Sequence, residues 1–329
     1  MKAIKILTMA ALATAVFASC SNDEDLAQSN YPMDNVVRIM TSVDGMNTRA
    51  SYGNSTDKLN SFGFCINNAN STTYTYDNVK VTKEGSNWNP ATQMFWQNST
   101  TAVDILAYAP YQETTEDATG KVKVFGKTDY AFSVKEDQSN AEDYSSDLIV
   151  YKKTGFKPGS ELNTSKAVDV TFTHLLSQLN LTIELRDQFN QDEKKPVTSA
   201  TVTDVKVDGT FIRSKVNFAA DPISVRFDGR ASKAITPETV AFTKADKTTD
   251  HATFKYSAIV IPQKVIAGQL CIKFKVDGTD YIWTGTDNAL FESGKKYELH
   301  LLVGKDVVQG GAISAIPWGD ETITEKETD

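Results

Sequence analysis

Residues 270 to 283 read Leu270-Cys271-Ile272-Lys273-Phe274-Lys275-Val276-Asp277-Gly278-Thr279-Asp280-Tyr281-Ile282-Trp283. Leu270, Ile272, Phe274 and Val276 fall on alternate positions, so an extended chain places them on one face. Asp277-Gly278 supplies the positive φ angles of a two-residue hairpin turn, and the chain returns through Tyr281-Ile282-Trp283. A strand, a turn and a second strand are thus written without a break.

The same period recurs on both sides. Val168 to Phe172, Leu179 to Leu185 and Ala200 to Val207 alternate, and Asp208-Gly209 is expected to make a hairpin turn before Phe211. Gly294-Lys295-Lys296 leads into a run from Tyr297 to Val303. Nearer the N-terminus, Val37, Ile39 and Val43 share one face of a run from Val36 to Val43. Phe62 to Ile66, Ala102 to Tyr108 and Lys121 to Phe125 are further strand candidates. Asp147 to Tyr151 is almost continuously apolar, as in a strand covered on both faces. The one helical candidate is Thr173 to Gln178, a turn or two at most. Short strands spaced by about ten residues describe sandwiches rather than βαβ units, so the fold class is all-β. A Gly-, Pro-, Asn- and Ser-bearing stretch from Thr154 to Lys166 reads as the linker, giving an N-terminal domain over 36–160 and a C-terminal domain over 161–329.

Composition agrees. The 329 residues hold 37 Thr, 12 Tyr and 16 Phe against 3 His, a usage suited to pleated, half-buried surfaces. The chain has 34 Lys and Arg against 42 Asp and Glu, a charge of −8. That sign argues against a nucleic-acid partner, which calls for clustered cations.

Residues 1–19 are an address. Lys2 and Lys5 form a basic start, and Ile6 to Ala18 form an apolar stretch of signal-peptide length. The stretch ends in Phe17-Ala18-Ser19-Cys20, which resembles a bacterial lipobox; the resemblance implies cleavage before Cys20 and lipidation of its thiol. Acyl chains hold a protein at a membrane without crossing it. Ser21-Asn22-Asp23-Glu24-Asp25 opens a tether over 20–35 and resembles the surface-export signal of Bacteroidetes lipoproteins. The implied address is the outer face of the outer membrane, with 310 residues and a charge of −10 left after cleavage. Cys65 and Cys271 then remain, too far apart in sequence for a disulfide framework and read as small apolar strand residues.

Chemistry-bearing motifs are scarce. His174, His251 and His300 stand alone, and no HExxH, CxxC, DxDxDG, GxSxG or P-loop occurs, so no metal, cofactor or catalytic residue is assigned. His174 reads as a strand-end residue bonded to backbone. Trp88 and Trp96 lie in a loop-like stretch, SNWNPATQMFWQNS, where an indole either stacks on a sugar or packs in the core.

Several segments together resemble the fimbrillin family of Bacteroidetes, the type V pilus subunits. Phe172-Thr173-His174-Leu175-Leu176-Ser177-Gln178-Leu179 is similar to the family's F-x-H-x-x-S-x-L. Ala258 to Gln263 resembles its I-x-P-Q strand, Gly294 to Leu299 its G-K-x-Y strand, and Ile316-Pro317-Trp318 its near-terminal apolar-Pro-Trp. Asp104 to Tyr111 (DILAYAPY) and Thr48-Arg49-Ala50 also fit. The resemblance implies two transthyretin-like antiparallel β-sandwich domains with Greek-key connections and a structural or adhesive role. It also implies a first strand removed by an arginine-specific protease, here residues 36–49 with the cut after Arg49. A neighbouring subunit's strand then enters the vacated groove, where Val37, Ile39 and Val43 had faced in.

The partners so implied are other pilus subunits by strand complementation, the outer membrane through the lipid, and a host protein or glycan receptor. The tail from Asp320 to Asp329 has Ile323 as its single large apolar residue, and Ala312 to Ile316 is the better donor candidate. This favours a tip or minor subunit over a stalk subunit; an anchor that keeps its lipid is the other option. The alternative class is a monomeric surface lipoprotein that binds a polysaccharide through Trp88 and Trp96.

Overall fold

In the computed structural model, residues 30–43, 56–113, 123–191, 196–229, 232–246, 250–311 and 313–318 are described. Their strands, in chain order, are β1 (Ile39–Val43), β2 (Ser61–Asn67), β3 (Tyr76–Glu84), β4 (Asn87–Pro90), β5 (Val103–Ala109), β6 (Tyr130–Ser133) and β7 (Ile149–Phe156). There follow β8 (Val168–His174), β9 (Ser177–Leu185), β10 (Val202–Asp208), β11 (Arg213–Asn217), β12 (Ser224–Phe227), β13 (Glu238–Thr243) and β14 (Ala252–Val260). The last are β15 (Gln263–Val265), β16 (Cys271–Val276), β17 (Thr279–Thr284), β18 (Ala289–Phe291), β19 (Lys295–Val303), β20 (Val308–Gly310) and β21 (Ser314–Pro317). The chain is all-β, its sheets arranged as sandwiches.

The first sheet runs β1-β8-β7-β5-β2-β3-β4 and is covered on both faces. Phe62, Phe64 and Ile66 of β2 and Ile105, Ala107 and Ala109 of β5 enter one core. Their neighbours one residue out of phase, Cys65, Leu106 and Tyr108, enter another. This double cover explains why β2 and β5 are almost continuously buried instead of alternating. The sheet β12-β11-β6 supplies the second cover, with the Tyr108 ring 5.6 Å from that of Tyr130 and 5.7 Å from Phe218.

A six-stranded sheet, β13-β14-β9-β19-β20 with β21 also on β19, forms the other large layer. Leu179, Leu181 and Ile183 of β9 and Leu299 and Leu301 of β19 pack in one cluster with Ile272, Phe274 and Val276 of β16. The opening hairpin is realised: Val276 pairs with Thr279, and Asp277 and Gly278 have φ of 52° and 83°.

Three expectations are corrected. Thr173 to Gln178 is no helix; β8 ends at His174 and β9 starts at Ser177, so the chain steps between sheets there. Leu175 and Leu176 are both buried at that step, which is why two adjacent apolar residues resemble a helical face. Asp208-Gly209 closes no hairpin, because β10 pairs with β16 while β11 lies between β12 and β6. Glycine is needed there for another reason: φ is +91°, and a Cβ would meet the Gln269 carbonyl oxygen at 1.9 Å. Lys123 to Phe125, the described part of 121–125, forms no strand. Within the stretch 154–166, β7 runs to Phe156 and a helical turn covers Pro158–Glu161. Beyond it β8 still belongs to the first sheet, so strand pairing passes residue 160.

Candidate functional site

β1 is an edge strand joined to β8 by a parallel ladder, from Ile39 opposite Val168 to Val43 opposite Phe172. Before it the chain is tied in by backbone bonds: Val37 N–H donates to the Met94 carbonyl at 3.0 Å and Trp96 N–H to the Asn35 carbonyl at 2.8 Å. The Arg38 guanidinium meets the Asp34 carboxylate at 2.6 Å and holds that carboxyl down to about 2. Val37, Ile39 and Val43 are 2%, 7% and 6% exposed, while Met40 is exposed. The three sit in the core with Phe62, Trp96, Val170 and Phe172. Burying three such side chains contributes about 1.5–3 kcal/mol each as an upper estimate. One short ladder holds the rest of the strand.

At the end of β1 the sheet edge continues. β8 runs on to Thr173 and His174, beyond Phe172, which faces the last described residue of β1. There a cleft of about 320 Å³ opens beside Thr171 and Thr173, whose side chains lie on the face opposite Val170 and Phe172. Val150 and Leu175 contribute apolar walls, and Lys152 and Asp221 contribute charge. Lys152 is pinned, its Nζ donating to the carbonyls of Phe218, Ala219 and Ala220 at 3.0, 3.1 and 2.7 Å.

Behind the cleft, His174 is buried with its Nδ1 3.0 Å from Asp147 Oδ1. The expected backbone bond is thus replaced by a carboxylate. The Trp318 indole lies flat on the imidazole, 4.0 Å between centroids at 7°. The two histidine- and tryptophan-bearing motifs therefore meet in space. Their companions support the same corner: Ser177 Oγ donates to the Glu292 carbonyl at 2.8 Å, and Gly294 N–H donates to the Leu176 carbonyl at 2.9 Å. Gly294 has φ of +69°, the reason for glycine before the Lys-Lys-Tyr strand. Sequence reasoning missed Asp147, Lys152 and Asp221, since each is assembled from a separate strand or loop with no spacing signal.

The other sequence candidates fall apart as a group. Trp96 is 2% exposed and stacks on Phe156 at 5.7 Å, so it offers no platform to a sugar. Trp88 lies in β4, half-buried, its ring 5.0 Å from Phe62 with Lys83 Nζ 5.8 Å above it. Of the two readings the sequence leaves open, Trp96 takes core packing, while Trp88 is half-buried against Phe62. His251 and His300 are not isolated: His251 Nδ1 meets one Glu184 oxygen and His300 Nε2 the other, at 2.6 Å for His300. Among the described residues no group of three or more His, Cys, Asp or Glu side chains is arranged to hold a metal ion. Cys65 and Cys271 are free thiols, each within a strand. Cys20 and Arg49 lie outside the described residues.

The described residues form an all-β chain of sandwiched sheets whose first strand lies at a sheet edge. A family model described as fimbrillin-like matches residues 48–318, and the chain belongs to that family of fimbrial subunits. No curated protein matches. Among solved structures, a Bacteroides ovatus protein assigned to cell adhesion matches with a TM-score of 0.61 and 13% identity, over 87% of this chain and 99% of its own. A Bacteroides uniformis protein with the same assignment gives 0.55 and 19%, again over 87% and 99%. A fimbrial protein of Bacteroides vulgatus gives 0.51 and 16%, over 86% and 99%. At these identities the likeness speaks for the fold.

Proposed function

We propose that this fimbrial subunit is exported as a lipoprotein through Cys20 and assembles by strand exchange after cleavage at Arg49. Cleavage releases β1, and a strand of another subunit takes its place against β8. The observation that carries the reading is the position of β1. It is an edge strand in parallel pairing whose Ile39 and Val43, with Val37 just before it, fill a core, so departure of the segment leaves an apolar slot bordered by free backbone groups. Such an edge accepts an added strand, with main-chain bonds giving affinity and alternate side chains giving register.

The donor side supports a tip or minor subunit. The donor candidate from Ala312 to Ile316 overlaps β21, which pairs with the chain's own β19 from Glu298–Ser314 to Lys295–Pro317. The tail with Ile323 lies outside the described residues.

The test treats purified protein with an arginine-specific protease. The expected result is a new N-terminus at Ala50 and SDS-resistant assemblies with other pilus subunits. Trimming after Arg49 that never yields partner binding refutes strand exchange.

A further inference from the structure

We propose that the cleft at the end of β1 is a register pocket, taking one large side chain with a polar tip, Tyr in the first instance, from the incoming strand. The inference rests on the strand-exchange reading and goes beyond it by assigning a specificity site outside the apolar slot.

The placement follows from register. Ser42 lies opposite Thr171, and its Oγ donates to Thr171 Oγ1 at 3.1 Å, so directly opposed residues share a face. A strand that keeps this register but runs two residues past the position of Ser42 puts its next outward side chain opposite Thr173. Thr173 lines the cleft, and none of the residues from Val36 to Val43 does. The apolar slot and the cleft are therefore consecutive stations along one strand edge, on opposite faces of the sheet.

The chemistry of the cleft specifies what fits. Its volume, about 320 Å³, is at the low end for a ligand pocket and suits a single large side chain. Val150, Leu175, Pro222 and Ile223 offer apolar surface to a ring. Around them, Thr171, Thr173 and Ser293 bring hydroxyl groups and Asp221 an acceptor for a phenol O–H. Lys152 is held by three carbonyls and fixes the Phe218–Ala220 side of the cleft. An aromatic ring with a polar handle satisfies both parts, which is the usual profile of an interface anchor.

The experiment uses the full chain cut in place by an arginine-specific protease, with fluorescent peptides exchanged into the β1 position. One peptide carries residues 36–43 alone; two others add Ala-Gly or Tyr-Gly at the C-terminus. The Tyr-Gly peptide is expected to bind about tenfold tighter than 36–43, equivalent to about 1.4 kcal/mol, with the Ala-Gly peptide near the parent. Thr173→Trp, a change at an exposed position, fills the cleft and is expected to abolish the gain while leaving 36–43 binding unchanged. If 36–43 exchanges but Tyr-Gly adds nothing, or Thr173→Trp leaves the gain intact, the pocket is refuted and strand exchange stands. If no peptide exchanges, strand exchange itself fails. Displacement of the Tyr-Gly peptide by free methyl glycosides, without effect on the 36–43 peptide, would reassign the cleft to a sugar.

Discussion

Trp318 shows how a single residue can be legible in sequence for one reason and important for another. Its place in an apolar-Pro-Trp motif near the C-terminus marks it, yet nothing in the spacing reveals that it lies on His174. The indole is 4% exposed and stacked face to face with an imidazole that Asp147 orients. Trp318→Ala is expected to cost about 3–5 kcal/mol of unfolding free energy in urea titrations, the range for a buried tryptophan. Trp88→Ala, at a half-buried site, should cost clearly less; equal losses would mean the stack carries no special weight. Gly209 is a second case. Its DG dipeptide suggested a hairpin, whereas the actual demand is a positive φ beside a neighbouring carbonyl. Gly209→Ala should therefore destabilise by about 1–3 kcal/mol through backbone strain alone, with more from the clash. A measured change below half a kcal/mol, as at ordinary surface sites, would refute that account.

Some elements with one wet face were legible, while β6, β11 and β13, which alternate over only four to six residues, were not. The β16–β17 hairpin, β8 and β9 all alternate strictly, and period two found them. Strands buried on both faces, β2 and β5, could be found only as apolar runs, and the switch of sheets at Leu175-Leu176 imitated a helix. For β1 the inward residues were readable, since Val37, Ile39 and Val43 stand at even spacings, but its parallel pairing with a strand about 130 residues on was not, because local pattern carries no partner information. The Asp34–Arg38 pair just before β1 predicts a pH dependence for its fastening. Asp34 is held down to about 2 from an ordinary value of 3.8, chiefly by its hydrogen bond from Arg38. A depressed carboxyl stabilises fully above its unfolded value and loses that contribution as pH falls through the folded one. Amide exchange at Arg38 and Ile39 should therefore accelerate between about pH 4 and pH 2 relative to β9, and Asp34→Asn should remove the pH dependence. An unchanged ratio across that window would show that the ion pair does not fasten β1.

At the scale of the molecule, strand pairing crosses the stretch that composition marks as a divide. The stretch 154–166 suggested a divide, but β8 from beyond it joins β7, and β6 from before it joins β11. Residues 36–160 alone would therefore lack β8 under the Ile149 edge and the β11–β12 cover over Leu106 and Tyr108. One apolar cluster also runs from Cys65, Leu106 and Tyr108 through Phe218 to the Leu179–Ile183 side of β9, so a break would expose it twice. Exposed apolar area of that kind drives association. A fragment of residues 30–160 is expected to be aggregated or to lack near-ultraviolet circular dichroism. A longer fragment, residues 30–229, regains β8, β11 and β12 and should recover ordered tyrosine signals around Tyr108 and Tyr130. If the 30–160 fragment instead gives a dispersed amide spectrum and unfolds cooperatively, the first sheet is complete without its distant strands. β8 would then be an added edge rather than part of the scaffold that holds β1.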